Sequence, residues 1–420
     1  MKKFSLVLSL LLFFIFSACV KDTGTIEVTY FEATAVYGNL DEIRSTVLND
    51  STRDIVNPGK IYVGHDYILI GEEGKGIHVI DNKDPQNPSH INFLNIPGNR
   101  EFVVSENIIY AESYYDVIKV DINERTNAKI ISRAEYVFAD VILNDVGDAV
   151  VGFDFTEVTK VVDDNSDIFH EIKANNLVYL DFAKKIIPQS AVPSSFAGNS
   201  SSASGTVNRL SLFNDYLYII GRSDLNIISN HDDFNLINKI SMLGTEMETI
   251  FPYENKIFIG TRTSMEIYDV SNPEDPTHEF TFDHATSCDP VLPVDEAVYI
   301  TLRTADFSPC PGNINALIVL DISNLATPKE VEEIEMQSPY GMSKINGVLY
   351  VGEGENGLTL FDATNPIGLT KIEHLSEVKA FDVMAHPSNN NMVLIASKEG
   401  LSQFTVSQNK TLKMESNFAY

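Results

Sequence analysis

Leu317-Ile-Val-Leu-Asp321, four apolar residues closed by an acid, constrains this chain more than any other stretch because the chain repeats it. The same block stands at Ile77–Asp81, Val117–Asp121, Leu177–Asp181, Met265–Asp269 and Leu358–Asp362. Two degraded copies, Leu225–Ser229 and Leu401–Thr405, keep the first and fourth apolar residues and lose the acid. The closing residues lie at 81, 121, 181, 229, 269, 321, 362 and 405, so successive copies are 40, 60, 48, 40, 52, 41 and 43 residues apart. A base period near 40 is the mark of a repeat architecture, one supersecondary unit per copy.

Each unit follows one plan. An alternating strand (A) turns tightly into an apolar strand (B), a loop leads to the block (C), and a turn, usually with Pro, leads to a last strand (D). Unit one has Lys60–His65, Tyr67–Gly71, Ile77–Asp81, the turn Asp84–Pro88 and His90–Ile96 in that order. Four short strands per unit point to a β-propeller. A sheet apolar on both faces cannot be buried alone, but radially stacked sheets cover one another. Strands covered on both faces read as continuous apolar runs, as in Val298–Ile300 and Leu317–Leu320. The closing Asp is expected to accept backbone N–H bonds in the following turn. The fold class is therefore all-β, a propeller of eight four-stranded blades, or of seven, since the repeats in 154–240 are the poorest matches. The longest gaps mark insertions: 154–174 and the Ser-rich 190–205 in unit three, and 304–315 in the B-to-C loop of unit six.

The N-terminus reads as a secretory leader: Lys2 and Lys3, an apolar run from Phe4 to Phe16, then Ser17-Ala18-Cys19. The run is shorter than the roughly 20 residues that span a bilayer. Its end resembles the lipobox of bacterial lipoproteins, which implies residues 1–18 as a signal peptide and Cys19 as the lipidated first residue. An ordinary cut near Ala18 is the alternative. Residues 19–57 form a tether with a strand at Thr25–Tyr30 and a short helix opened by Asn39, with Leu40, Ile43 and Val47 on one face. The propeller takes residues 58–420. Formal charge is 30 − 59 = −29, which repels phosphate backbones and argues against nucleic acid as a partner.

The block and its turn resemble the LVIVD repeat family of bacterial surface proteins, carried by 317–321, by Ile267-Tyr-Asp-Val-Ser-Asn-Pro273 and by Ile77-His-Val-Ile-Asp81. The resemblance covers about residues 58–408. It implies a propeller exposed outside the cytoplasm and supplies no catalytic residues to transfer.

Strand A should be innermost, its first residues lining one mouth of the channel. Those residues are Lys60, Glu101, Asp140, Arg209, Glu248, Asp289, Gly341 and Asp382. The five acids Glu101, Asp140, Glu248, Asp289 and Asp382 form a candidate site for a cation or polar ligand. The competing reading has each acid bonded to backbone N–H groups. Cys288 precedes strand A of unit six and Cys310 lies in its B-to-C loop; an antiparallel A–B hairpin places both on one rim, where a disulfide is expected in an oxidising compartment. Free thiols are the alternative. Asp163, Asn165 and Asp167 begin like a calcium loop, but Ile168 and Ala174 stand where Gly and Glu are needed. No zinc spacing, phosphate loop or nucleophile elbow is present. Tyr114, Tyr115 and Tyr340 fall where rings could stack on a sugar or peptide.

These readings converge on a lipid-anchored binding or scaffolding module of the cell envelope, an outer-membrane lipoprotein with a protein or glycan partner. No cofactor, metal or catalytic residue is assigned, and the membrane is met only through the lipid. The rim with 154–174 and 304–315 would recognise the partner. The competing class is a hydrolase or lyase using carboxylates at the channel mouth.

Overall fold

The computed structural model describes residues 24–138, 142–163, 177–180, 185–188, 208–221, 224–231, 233–242, 247–261, 263–283, 290–303, 314–325, 327–408 and 410–420. The chain divides into two compact units, with boundaries after residues 36, 151 and 196.

The larger unit is a seven-bladed β-propeller. Its A strands begin at Pro58–Val63, Phe102–Ser105, Leu210–Phe213, Met247–Tyr253, Val291–Val294, Met342–Ile345 and Asp382–Ala385. Each leads antiparallel through B and C to D, so every four-stranded blade is one continuous stretch of chain. Blade 1 gains a fifth strand, Asn49–Asp50, paired with its D strand at Leu94 and Phe93. From blade 1 to blade 7 each A strand touches the next.

Alternation within the block explains why it is apolar throughout. In blade 5, Ile318 and Leu320 pack toward blade 4, in a cluster with Phe258 and Ile267. Leu317 and Val319 pack toward blade 6, with Leu349 and Phe361. Because side chains of a strand point alternately to its two faces, a blade clasped between neighbours needs apolar residues at every position. Seven such clusters occur, one per seam. The last joins Ile61, Ile68 and Ile80 of blade 1 to Met392, Leu394 and Leu401 of blade 7 and closes the ring.

The block acid does what its position requires. Oδ1 of Asp81, Asp121, Asp269, Asp321 and Asp362 accepts the amide two residues on, at 2.8–3.0 Å. The Lys83 amide holds Asp81 below the usual carboxylate range, and the Lys256 ammonium followed by the Ser271 amide does the same for Asp269. In the degraded copy of blade 3 the Ser229 hydroxyl accepts the His231 amide instead. A register shift recurs in the C–D pair of all seven blades, around the third and fourth block residues; such bulges add twist and bend the outer strand.

The eight-blade count is corrected to seven at the third unit. Leu177–Leu180 pairs in parallel with Thr25–Gly38, Phe31 facing Val178, whereas every pair within a blade is antiparallel. The small unit is this separate sheet, which Ala149–Asp163 and Lys185–Pro188 complete. Its sequence explains the difference: Ala149–Asp163 is buried only at Ala149 and Val150, a pattern unlike the continuously buried B strands. Thr25–Gly38 therefore belongs to this sheet and does not complete the last blade. Asn39 caps the helix Leu40–Arg44, its Oδ1 accepting the Asp41 and Glu42 amides at 3.0 and 3.1 Å. The helix ends before Val47, which is exposed, while Leu48 drops into the seam between blades 1 and 2.

Candidate functional site at the channel mouth

The links that enter the A strands bring Lys60, Glu101, Arg209 and Asp382 to one end of the propeller axis. Lys60 is buried and donates from Nζ to Asn208 Oδ1. Burial lowers the pKa of this ammonium, while the charges of Glu101 and Asp382 act the other way. Glu101 Oε2 accepts the Arg209 amide at 2.7 Å. Burial raises its pKa, opposed by the charge of Lys60 and by the Arg209 amide. Asp382 is fully buried and accepts the amide of Val383 at 2.8 Å. Its charge and, above all, burial push the Tyr420 hydroxyl up.

Glu112 belongs to the same cluster and was missed in the sequence. Burial pushes its carboxyl up to about 7, against the pull of Arg209 and Arg100. The Glu112 amide bonds the Glu101 carbonyl as the Gly352 amide bonds that of Gly341. The readable signal was therefore an acid where blade 6 carries glycine.

A second set of acids pins the blade entries. Glu72 accepts the Val56 and Asn57 amides at 3.1 and 3.3 Å and pairs with His78 at 3.1 Å. Burial pushes His78 down to about 4, keeping it neutral near pH 7. In blade 6 Glu353 accepts the Gln337 amide at 2.8 Å and bonds Thr359, which also meets His374 Nδ1 at 2.9 Å. The sequence showed these as polar acidic turns; the structure buries one acid of each.

Of the five candidate acids, the structure brings Glu101 and Asp382 together around Lys60. Glu248 is half-buried at the start of strand A of blade 4. Asp140 and Asp289 lie outside the described residues, as do Cys19, Cys288, Cys310, Asn165, Asp167, 304–313 and 164–174. Tyr115 is not a free ring: it is buried and donates to the Val150 carbonyl at 2.6 Å. Tyr340 sits with its ring 4.1 Å from the Arg303 guanidinium and stacked edge-on against Phe381. No group of three or more metal-ligating side chains occurs among the described residues. No helix among them is long and apolar enough to cross a membrane.

The arrangement is a polar plug in which acids meet backbone amides and buried cations, joining blades 1, 2, 3 and 7 at the axis. Solved structures of similar fold include the periplasmic gluconolactonase PpgL of Pseudomonas aeruginosa, 11% identical, with 84% of this chain and 96% of that one covered at a TM-score of 0.52. The Pan2 WD40 domain of Neurospora crassa is 9% identical, with 81% and 86% covered at 0.51. A chain of the mitotic checkpoint complex is 10% identical, with 89% and 91% covered at 0.52. At such identities the likeness is one of fold. No curated protein matches the sequence. Residues 312–335, which contain the block of blade 5, match the LVIVD repeat family. The chain folds as a seven-bladed β-propeller whose fifth blade carries an LVIVD repeat.

Proposed function

We propose that this chain is an exported, lipid-anchored propeller that acts as a non-catalytic binding or scaffolding module of the cell envelope. Its partner is a protein held on the face that carries the channel mouth and the B-to-C loops. The observation that supports this reading is the internal use of the mouth carboxylates. Glu101 is held by the Arg209 amide and the charge of Lys60, and Glu72 and Glu353 pin the links entering blades 1 and 6. Acids committed to the scaffold make a rigid platform, and long loops on such a platform are where recognition tends to sit. The leader supplies the address, with Cys19 as anchor and Cys288–Cys310 as a staple of the 304–315 loop.

The test captures partners from envelope extract with the wild type and with a chain lacking residues 304–313. Loss of specific capture in the deletion supports the platform; unchanged capture removes the loop from it. Cys19→Ser should shift the protein from the membrane to the soluble fraction, and retention on the membrane would refute the anchor.

One observation favours the competing hydrolase or lyase reading. A Glu112 carboxyl held near neutrality by burial suits a general acid–base group. Turnover in an ester, lactone and glycoside panel that vanishes in Glu112→Gln or Asp140→Asn would move the conclusion to that class.

A further inference from the structure

Three consecutive blades bring an amine, a carboxyl and a carboxamide together at the axis. Lys60 lies in strand A of blade 1, Glu101 just before strand A of blade 2, and Asn208 just before strand A of blade 3. The Lys60 Nζ donates to Asn208 Oδ1, which sets the amine beside the carboxamide carbon. Glu101 Oε2 accepts the amide of Arg209, the residue after Asn208, at 2.7 Å. Lys60 and Glu101 are both buried, whereas Asn208 is half-buried. Burial lowers the pKa of the amine and raises that of the acid, each opposed by the charge of the other. Lys256, also buried, donates instead to the carboxylate of Asp269. A carboxylate resists attack by an amine, and a carboxamide admits it.

We infer that Lys60 and Asn208 become joined by an isopeptide bond, formed by the chain itself with Glu101 as the proton carrier. A lysine amine becomes nucleophilic when it is desolvated and a base stands by to take its proton. Contact in a fixed position then replaces a chance encounter. The Glu101 carboxylate takes one proton from the Lys60 ammonium, and the freed lone pair of Nζ forms a bond to Asn208 Cγ. Glu101 passes its proton to Nδ2 as the Cγ–Nδ2 bond breaks, and ammonia leaves. The proton that Nζ sheds on becoming an amide departs with the ammonia as ammonium. Atoms and charge balance without any further reagent, and the half-buried side of Asn208 gives the ammonia its way out. The bond joins residues 148 apart and closes the chain covalently around blade 2. Such a cross-link restricts the unfolded chain most when the loop it closes is long. It is independent of what the mouth face binds.

The test is peptide mapping by mass spectrometry on the purified, reduced full chain. A branched species should join the peptide that holds Lys60 to the one that holds Asn208, lighter than their sum by one ammonia. Tryptic cleavage after Lys60 should be lost. The branched species should vanish in Lys60→Met and in Glu101→Gln, which keeps an acceptor for the Arg209 amide but cannot carry the proton. If Glu101→Gln fails to fold, the wild-type map and Lys60→Met decide. The inference is overturned by separate Lys60 and Asn208 peptides of full mass in the wild type. An ammonia deficit confined to the Asn208 peptide, the mark of a succinimide, also overturns it. So does a branched species undiminished in folded Glu101→Gln.

Discussion

Asn82 and Gln403 are 321 residues apart in sequence yet share two hydrogen bonds in a seam that excludes water. Removing one partner leaves a buried amide unsatisfied, which costs about 1–3 kcal/mol. Asn82→Leu should therefore lower stability by that order, and Asn82→Leu with Gln403→Leu should recover much of it, as read by denaturant unfolding of the double-mutant cycle. Glu112 gives a prediction of opposite sense. Its folded carboxyl titrates near 7 against an ordinary 4.5. Between those values the folded state holds a proton that the unfolded state has lost, so stability falls as pH rises. Glu112→Gln should remove that slope, gaining on the order of 1–3 kcal/mol on wild type between pH 5 and pH 8. A parallel pH profile in the two proteins would contradict it.

Strands B and C lie between blades and strand D lies at the outer wall, so equal substitutions should have unequal effects. Leu317 is fully buried in the seam with blade 6, whereas Val331 on the outer strand Lys329–Glu335 is 45% exposed. Leu317→Ala should cost about 2–5 kcal/mol, and Val331→Ala about 0.5 or less. Equal losses in urea melts would mean that the block is not the seam. Elements of this kind were legible because two-face burial writes itself as an unbroken apolar run. The closing acid and its turn were legible for a similar reason: an Asp accepting the amide two residues on is a local matter. Glu72 and Glu353 were not, because what buries them is a link arriving from outside the B-to-C turn.

Seven seams, each with its own cluster, close the ring without a strand exchanged between its ends. Among the described residues, none of the clusters draws on 24–36, 152–163, 177–180 or 185–188. A chain starting at Tyr37, with 152–196 replaced by a Gly-Ser linker, should keep a cooperative melt and the β-rich circular dichroism of the propeller. A molten or aggregated product would show that the small sheet is needed for the ring. Blade number was the sequence's weakest point here. A block-like strand at 177–181 counts as a repeat on paper, and only its parallel partner at Phe31–Ala33 removes it from the ring.

By itself the sequence determined the period, the four-strand unit, the turn acids and the apolar faces, since each depends on residues close together in the chain. The tertiary structure alone decided how many units share the axis, which acids are buried with Lys60 at the mouth, and how Asn82 comes to be satisfied by Gln403. Those outcomes depend on what a neighbouring blade, hundreds of residues away in some cases, places opposite each side chain.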